Sequence, residues 1–305
     1  MSLLVVGSVA FDTVETPFGR VERALGGSAL YFSTSASYFA DVNLVAVVGE
    51  DFPEETTDFL SSRGIDLRGL RRAPGETFCW EGKYGFDLSD AITLDTRLNV
   101  FGDFHPELPA DYRHCSHVFL ANIDPELQLE VLKQVENPEF VALDTMNFWI
   151  EGKRDALIEV LRQVDMVIIN ETEARQLARN PNIVRAAEAI LAMGPKFIAI
   201  KRGEYGALLF GQGEPFFAPA YPLDSVFDPT GAGDTFAGGL LGYICQNGHT
   251  NPECLRQAMV MGGVMASFCV EKFSLEGLQD LHKAEIVNRF GRFEKLVHFD
   301  ALSEG

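Results

Sequence analysis

Short apolar runs rich in Val, Ile and Leu recur along the chain, each separated from the next by enough residues for a helix. Strands that are buried on both faces have continuous apolar sequences, and a parallel sheet requires crossover helices between them. The spacing therefore predicts an α/β fold in three layers (α/β/α) with a mainly parallel central sheet. Its strands are expected at Leu3–Gly7, Leu44–Gly49, His117–Asn122, Phe140–Asp144, Met166–Asn170 and Phe197–Lys201.

Amphipathic segments fill the intervals, and several begin with Ser, Asp-Pro or Asn-Pro, which are typical helix starts. The expected helices are Ser28–Phe39, Pro53–Arg63, Pro125–Val135, Arg154–Gln163, Glu171–Arg179 and Ile183–Met193. After Lys201 the pattern changes to a hairpin and then to long helices. These elements are expected at Ala207–Phe210 with Pro215–Ala218, and over 232–247, 252–270 and 275–289.

Two stretches interrupt the alternation, Phe11–Leu25 and Glu76–Gly102. Both are rich in Thr, Phe, Tyr and Gly and are too irregular for crossover helices. We expect them to form extra strands that stand off the main sheet as a small β-strand lid, at about residues 11–25 and 76–102. Because no repeat, low-complexity tract or linker divides the chain, residues 1–305 are expected to form a single domain.

Composition and charge limit the possible partners. The 305 residues are 47% apolar and carry 44 acidic against 25 basic side chains, a formal net charge of −19. Such a chain can fill a large core, and its acidic surface repels phosphate backbones and anionic membranes. We therefore expect neither nucleic acid nor a membrane as a partner. The five cysteines form no C-x-x-C pair and no signal-peptide pattern opens the sequence, which favours a cytoplasmic location.

The segment Phe227-Asp228-Pro229-Thr230-Gly231-Ala232-Gly233-Asp234 is the most informative in the chain. A proline and two glycines interrupt regular structure, and the small, apolar run Phe236–Ile244 behind them predicts a helix. The turn is therefore a helix N-terminus whose backbone amides, from about Ala232 onward, can bind an anion such as a phosphate. Asp234 is either a carboxylate that stabilises the helix start or a general base beside a phosphoryl group.

The order D-P-T-G-A-G-D followed by T-F-x-G-G resembles the C-terminal signature of the ribokinase-like (PfkB) family of carbohydrate and nucleoside kinases. Further landmarks of that family follow in the right order over nearly the whole chain. They are G-x-x-x-x-D at Gly7–Asp12, G-G at 26–27, V-G-x-D at Val48–Asp51, N-x-x-E at Asn170–Glu173 and K-x-G-x-x-G at Lys201–Gly206. The resemblance implies a ribokinase-like fold and an ATP-dependent phosphotransferase that acts on an alcohol group.

The resemblance also implies roles in phosphoryl transfer. Asp234 would be the general base, which takes the proton of the acceptor hydroxyl as that hydroxyl attacks the γ-phosphate of ATP. The backbone amides of Gly231, Ala232 and Gly233 would form the anion hole that stabilises the transferred group. A lid that closes on the substrates would exclude water and so favour transfer over hydrolysis.

On the nucleotide side, the family pattern implies that ATP is bound by Asn170, Glu173, Lys201, Gly203, Gly206 and Gly263. Asn170 and Glu173 would also organise Mg²⁺, mostly through water, since this hard cation prefers oxygen ligands. A strand end followed by a helix start explains the same pair without a metal, and Gly263 could equally serve helix packing. A monovalent cation, K⁺, is a further candidate beside Asp228 and Thr230.

The implied acceptor site comprises Asp12, Gly26, Gly27 and Tyr31. Asp12 would accept hydrogen bonds from substrate hydroxyls, and the glycines would permit close approach of the backbone. A solvated turn residue and a tight turn are the structural alternatives. Tyr31 stands where sugar kinases of the family commonly carry Asn, which weakens the case for a ribokinase in the narrow sense.

The nature of the acceptor stays open between a sugar or related polyol, which we place first, and a nucleoside; a catalytically silent sensor is a third possibility. The lid carries four aromatic side chains that could stack on a ring or cover a core, Phe78, Trp80, Tyr84 and Phe86. A sugar phosphate would need a cation such as Lys83 or Arg97. A dinucleotide-dependent oxidoreductase is a poor alternative because Gly7–Asp12 lacks G-x-G-x-x-G. Exposed lid strands would suit a homodimer.

Overall fold

The computed structural model describes residues 1–89, 91–211 and 213–298. The strands in this part of the chain are β1 (Ser2–Val6), β2 (Ala10–Thr16), β3 (Gly19–Gly26), β4 (Asp41–Val48), β5 (Ile65–Arg72), β6 (Phe78–Tyr84), β7 (Ala91–Arg97), β8 (His117–Leu120), β9 (Phe140–Leu143), β10 (Met166–Asn170), β11 (Phe197–Lys201), β12 (Ala207–Phe210) and β13 (Phe216–Ala218).

The helices are α1 (Ser28–Ala36), α2 (Glu54–Ser62), α3 (Pro125–Leu132), α4 (Asn147–Gly152), α5 (Arg154–Leu161), α6 (Glu171–Ala178), α7 (Ile183–Leu191), α8 (Ala232–Asn247), α9 (Pro252–Cys269), α10 (Glu276–Gln279) and α11 (Lys283–Val297). Short 3-10 turns cover Asn99–Asp103, Ala110–His114 and Gly203–Tyr205. No helix in the described ranges combines the length and the apolar character that a membrane crossing needs.

Nine strands form the main sheet in the order β13-β12-β11-β10-β9-β8-β1-β4-β5. The seven strands from β11 to β5 pair in parallel, and β12 and β13 add an antiparallel hairpin at one edge. Alternate residues of a strand point to opposite faces of the sheet. In β1, accordingly, Leu3 and Val5 join one buried cluster whereas Leu4 and Val6 join the other.

Helices cover both faces of this sheet, so the predicted three-layer α/β fold is confirmed. The first cluster includes buried residues of α1, α2, α8, α9, α10 and α11, and the second includes those of α3 to α7. Helices α1 and α8 pack so closely that only glycine fits at residue 238. A Cβ on Gly238 would lie 2.4 Å from the carbonyl oxygen of Phe32. This contact sets the distance between α1 and the amino-terminal half of α8.

The two irregular stretches form a separate four-stranded sheet in the order β3-β2-β6-β7, as the sequence predicted. Strand β2 pairs antiparallel with β3 and parallel with β6, and β6 pairs antiparallel with β7. We call these four strands the lid sheet. It joins the rest of the molecule near the start of α1, because β3 ends at Gly26, two residues before that helix.

Three details of the fold differ from the prediction. Strand β5 was not expected because its three arginines and one glycine break the apolar pattern, which an edge strand tolerates. The short helix α4 was also missed. The segment predicted as one helix over 275–289 is instead divided into α10 and α11, and His282 and Glu285 form a capping box at the start of α11.

Candidate active site

Several polar side chains meet at the carboxyl-terminal edge of the main sheet. Asp144 follows β9, Asn170 ends β10 and Lys201 ends β11, and these three strands are neighbours. Ligands of open α/β sheets bind at this edge. The amino-terminal turn of α8 reaches the same place, because a Cβ on Gly233 would lie 3.0 Å from the Nζ atom of Lys201.

The amino end of α8 carries no side-chain cap. Gly231 is its N-cap residue, with a φ of 73°. The amide of Ala232 donates to the carbonyl oxygen of Pro229 at 3.2 Å, whereas the amides of Gly231 and Gly233 find no acceptor in the described ranges. Two of the three amides that the sequence suggested for an anion hole are therefore available, and they lie at the positive end of a helix.

Gly231 cannot be replaced by a larger residue without a rearrangement. A Cβ there would lie 2.4 Å from two ring carbons of Tyr31, and its positive φ disfavours residues with side chains. Tyr31 is fully buried in α1. Its ring therefore packs under the turn that begins α8, which links a predicted acceptor residue with the predicted anion hole.

Asp234 lies in the first turn of α8, in surroundings that raise the pKa of its carboxyl group. Its own amide is the only group in the described chain that donates a hydrogen bond to its carboxylate. Burial, followed by repulsion from Asp144, raises the pKa of Asp234 from 3.8 to about 7, although Lys201 opposes the shift. The residue as a whole, backbone included, is partly exposed. A carboxylate with these properties can exchange a proton with a bound hydroxyl near neutral pH.

Lys201 and Asp144 form an ion pair of 3.1 Å whose side chains are only 16% and 7% exposed. The other oxygen of Asp144 accepts from the amide of Thr145 at 2.8 Å. Although burial alone would lower the pKa of Lys201, the carboxylates of Asp144, Glu173 and Asp234 raise it above its usual value. The lysine is therefore the cation of a buried cluster with three acidic groups.

Asn170 and Glu173 form a reciprocal capping box at the start of α6. The Oδ1 atom of Asn170 accepts from the amide of Glu173, and Oε2 of Glu173 accepts from the amide of Asn170, both at 2.8 Å. Glu173 is nevertheless buried toward the same cluster, and burial followed by repulsion from Asp144 raises its pKa to about 7. Within the described residues no three His, Cys, Asp or Glu side chains are grouped to bind a metal.

The acceptor residues predicted on the lid side also come together. Asp12 is buried in β2 and its carboxylate accepts from the amide of Gly27, next to Gly26. Burial, followed by repulsion from Asp228 and Asp234, raises the pKa of Asp12 to about 7. Asp12 and Asp234 thus lie close enough to repel each other across the space between the lid sheet and α8.

Asp228 and Thr230 bind neighbouring chain segments. One carboxylate oxygen of Asp228 accepts from the amide of Thr230 at 2.9 Å, and the other accepts from the amide of Ser274 at 3.2 Å. The hydroxyl of Thr230 donates to the hydroxyl oxygen of Tyr84 at 3.2 Å. The lid sheet is therefore hydrogen-bonded to the turn that precedes α8, a connection that the sequence did not indicate.

The glycines predicted on the nucleotide side have different surroundings. Gly263 faces open space, since a Cβ there would meet only Phe293, at 4.0 Å, whereas its neighbour Gly262 packs against Phe236. Gly203 also faces open space and has a φ of 54°. Gly206 is required by its turn, because a Cβ would lie 2.1 Å from the carbonyl oxygen of Ala218.

The lid aromatics divide into two groups. Trp80 lies directly opposite Asp12 in the pairing of β2 with β6, and paired residues share a face of a sheet. Tyr84 reaches Thr230, as described above. Phe78 instead stacks on Phe101, and Phe86 is exposed. The cations considered for a phosphate clamp are already paired, Lys83 with Glu15 at 2.6 Å and Arg97 with Asp95 at 3.0 Å.

A cavity of about 180 Å³ lies at the opposite edge of the main sheet, beside Phe197 at the start of β11. Its lining includes Phe216, Leu255 and Arg256 and none of the side chains of the acidic cluster. The buried acids, the free amides and the close glycines all lie at the carboxyl-terminal edge. We therefore take that edge, between the lid sheet and α8, as the candidate active site.

Comparison with known proteins bears on the family and the fold of the chain. The model of the pfkB family carbohydrate kinases matches residues 2–275. The cytidine kinase of Thermococcus kodakarensis is 34% identical over 264 residues, which cover 84% of this chain and 92% of that protein.

Two solved structures share the fold at low sequence identity. The nucleoside kinase of Burkholderia thailandensis in complex with inosine aligns with a TM-score of 0.77 and 19% identity, over 98% of this chain and 100% of that one. A putative ribokinase II from Escherichia coli in complex with ATP and Mg²⁺ aligns with a TM-score of 0.76 and 21% identity, over 95% and 99%.

Proposed function

The chain belongs to the pfkB family of carbohydrate kinases, and we propose that it transfers the γ-phosphate of ATP to a hydroxyl group of a nucleoside or a sugar. The observation that carries this proposal is that a carboxylate and free backbone amides lie together at the amino end of α8. The Asp234 carboxylate accepts only from its own amide, and the amides of Gly231 and Gly233 near it have no acceptor in the described chain.

In the proposed reaction Asp234 is the general base. The acceptor oxygen attacks the γ-phosphorus, and its proton passes to the carboxylate of Asp234. The bond between the γ-phosphorus and the bridging oxygen breaks, and ADP leaves with the electron pair. The free amides of Gly231 and Gly233, at the positive end of α8, stabilise the negative charge on the transferred group.

We propose that the acceptor is neutral, and we favour a nucleoside over a free sugar. The relative with 34% identity is a cytidine kinase, and Trp80 lies on the same face of the lid sheet as Asp12. Asp12 can accept hydrogen bonds from ribose hydroxyls while an aromatic side chain stacks on a base. Lys83 and Arg97 are engaged in ion pairs, which argues against a phosphorylated acceptor.

ATP and Mg²⁺ are proposed to bind on the side of α6, α9 and the end of β11. The open space at Gly263 and Gly203 leaves room for a ligand, and the acidic cluster suits a hydrated cation. Asn170 and Glu173 would hold Mg²⁺ through water, and when bound the ion neutralises charge on the phosphates. A K⁺ ion beside Asp228 and Thr230 is a further proposal, tested by comparing activity in K⁺ and Na⁺ buffers.

The lid sheet is proposed to cover the acceptor and to pair with a second copy of the chain. Strand β7 is an edge strand, and its residues Ile92 and Leu94 are exposed. An edge strand with exposed apolar side chains is a surface that a second strand can cover. Analytical ultracentrifugation would detect the homodimer.

A screen of acceptors tests the proposed function. The purified chain would be incubated with ATP and Mg²⁺ and with cytidine, adenosine, inosine, ribose, fructose or myo-inositol, and release of ADP would be recorded. We expect release that depends on an acceptor and is fastest with a nucleoside. ATP binding without turnover on any alcohol would instead support the catalytically silent sensor.

A further inference from the structure

We propose that Lys201 is a catalytic residue whose ammonium group contacts the transferred phosphoryl group, and that Asp144 is the residue that positions it. The inference rests on the proposed function and adds one side-chain cation to an anion hole otherwise made of backbone. It also assigns a role to Asp144, the residue that follows β9.

The first support is the position of the ammonium group. A Cβ on Gly233 would lie 3.0 Å from Nζ of Lys201, and the amide of Gly233 has no acceptor in the described chain. An anion oxygen that accepts from this amide would lie next to the ammonium group. A charged donor strengthens such a contact, because charge-assisted hydrogen bonds are about twice as strong as neutral ones.

The second support is charge. Lys201 is surrounded by Asp144, Glu173 and Asp234, three carboxylates whose combined charge would repel a phosphoryl group. A structural ion pair needs one carboxylate for the lysine, and here there are three. The local cation is therefore placed where a bound phosphate requires it most.

The third support is the way in which Lys201 is held. Oδ2 of Asp144 contacts Nζ at 3.1 Å, while Oδ1 accepts from the amide of Thr145. The carboxylate is thus fixed by the backbone of its own strand end and fixes the lysine in turn. A flexible ammonium group is thereby held at one place before the nucleotide arrives, which lowers the cost of ordering it.

The same strand provides a matched control. Lys196 lies just before β11 and pairs with Asp165 at 2.6 Å, at the opposite edge of the main sheet, with its side chain 62% exposed. Lys196 and Asp165 directly precede β11 and β10, at the amino ends of these strands, whereas Lys201 and Asp144 lie at the carboxyl ends of β11 and β9. Lys196→Met therefore removes a lysine–aspartate ion pair, a more exposed one, without touching the proposed site.

The test is a comparison of nucleotide affinities by isothermal titration calorimetry with Mg²⁺ present. For Lys201→Met we expect the affinity for AMP-PNP, which carries a γ-phosphate group, to fall by roughly 10- to 100-fold, as for the loss of a hydrogen bond from a charged group. The affinity for ADP should stay within about 3-fold of the wild type, and Lys196→Met should change neither affinity. Because no acceptor is needed, the result does not depend on which alcohol is phosphorylated.

Other results would overturn the inference. An equal loss of both affinities would make Lys201 a general structural or nucleotide residue, and unchanged affinities would make the ion pair irrelevant to the γ-phosphate. Asp144→Asn should reproduce part of the selective loss of AMP-PNP affinity, whereas Asp144→Glu, which keeps the carboxylate, should retain that affinity. A positioning role for Asp144 is excluded if Asp144→Asn binds AMP-PNP like the wild type.

A double variant covers the case in which Lys201→Met does not fold because Asp144 is left buried and unpaired. Lys201→Met with Asp144→Leu removes both charges, and such replacements of buried pairs are often neutral for stability. The double variant should show the same selective loss of AMP-PNP affinity. A folded double variant that binds AMP-PNP as tightly as the wild type would refute the proposal.

Discussion

A Cβ atom on Gly26 would lie 1.9 Å from Oδ2 of Asp12 and no more than 2.8 Å from the other two atoms of its carboxyl group. The carboxylate therefore occupies the space that a side chain at residue 26 would take. Gly26 does more than end β3 before α1, because it also determines where the acid of the acceptor site lies. This relationship leads to the first prediction.

Gly26→Ala should displace the Asp12 carboxylate while the fold persists, because the atoms that must move belong to the end of a side chain. We expect KM for the acceptor to rise by roughly 10-fold or more, as for the loss of charge-assisted hydrogen bonds, with KM for ATP nearly unchanged. Gly152→Ala is the matched control, since a Cβ at residue 152 meets nothing within 4 Å. An unchanged acceptor KM would separate Gly26 from substrate binding.

Tyr84→Phe should weaken the connection between the lid sheet and the turn before α8. The substitution removes the hydroxyl that accepts from Thr230 and keeps the ring. A single hydrogen bond of this kind contributes about 1 kcal/mol, so we expect a 2- to 10-fold rise in acceptor KM and a small change in melting temperature.

Tyr243→Phe is the control for that variant, because it removes a hydroxyl that donates to Gln257 at 2.9 Å, away from the site. Steady-state kinetics with the acceptor found in the screen would measure both. Equal effects of the two substitutions would mean that the Tyr84 hydroxyl contributes to stability alone.

Asp12→Asn should stabilise the unliganded protein at alkaline pH. The pKa of Asp12 rises from 3.8 to about 7 on folding, so the stability linked to its proton is complete below 3.8 and is lost as the pH rises through 7. This increase in pKa corresponds to ~4 kcal/mol at most in the free energy of unfolding. Asparagine stays neutral and avoids this loss.

Urea denaturation at several pH values would test this linkage. The gain in the free energy of unfolding for Asp12→Asn should be largest at pH 8 and should shrink as the pH falls toward 4. A gain that does not vary with pH would show that the carboxyl group of Asp12 is not perturbed by folding.

The strands of the main sheet could be predicted closely because burial on both faces leaves a continuous apolar run. The predicted bounds of Met166–Asn170 and Phe197–Lys201 agree with β10 and β11 residue for residue. Strand β5 could not be predicted in this way. It pairs only with β4, and its arginines contact solvent and neighbouring side chains instead of packing in a core.

The contacts within the site depend on tertiary structure that no local pattern reveals. Asp144 and Lys201 are 57 residues apart, and the order of β9, β10 and β11 brings their side chains together. Tyr84 and Thr230 are 146 residues apart and meet because the lid sheet docks on the turn before α8. The sequence singles out the individual residues, and only the fold shows that they meet.

The kinase reaction itself is tested most directly by the turnover number of Asp234→Asn with the acceptor found in the screen. Asparagine keeps the shape of the side chain but cannot accept the hydroxyl proton. We predict a fall in kcat of roughly 10²-fold or more, as for the loss of a general base, with the affinity for ATP retained. Turnover within a few-fold of the wild type would contradict the role of Asp234 and the reaction built on it.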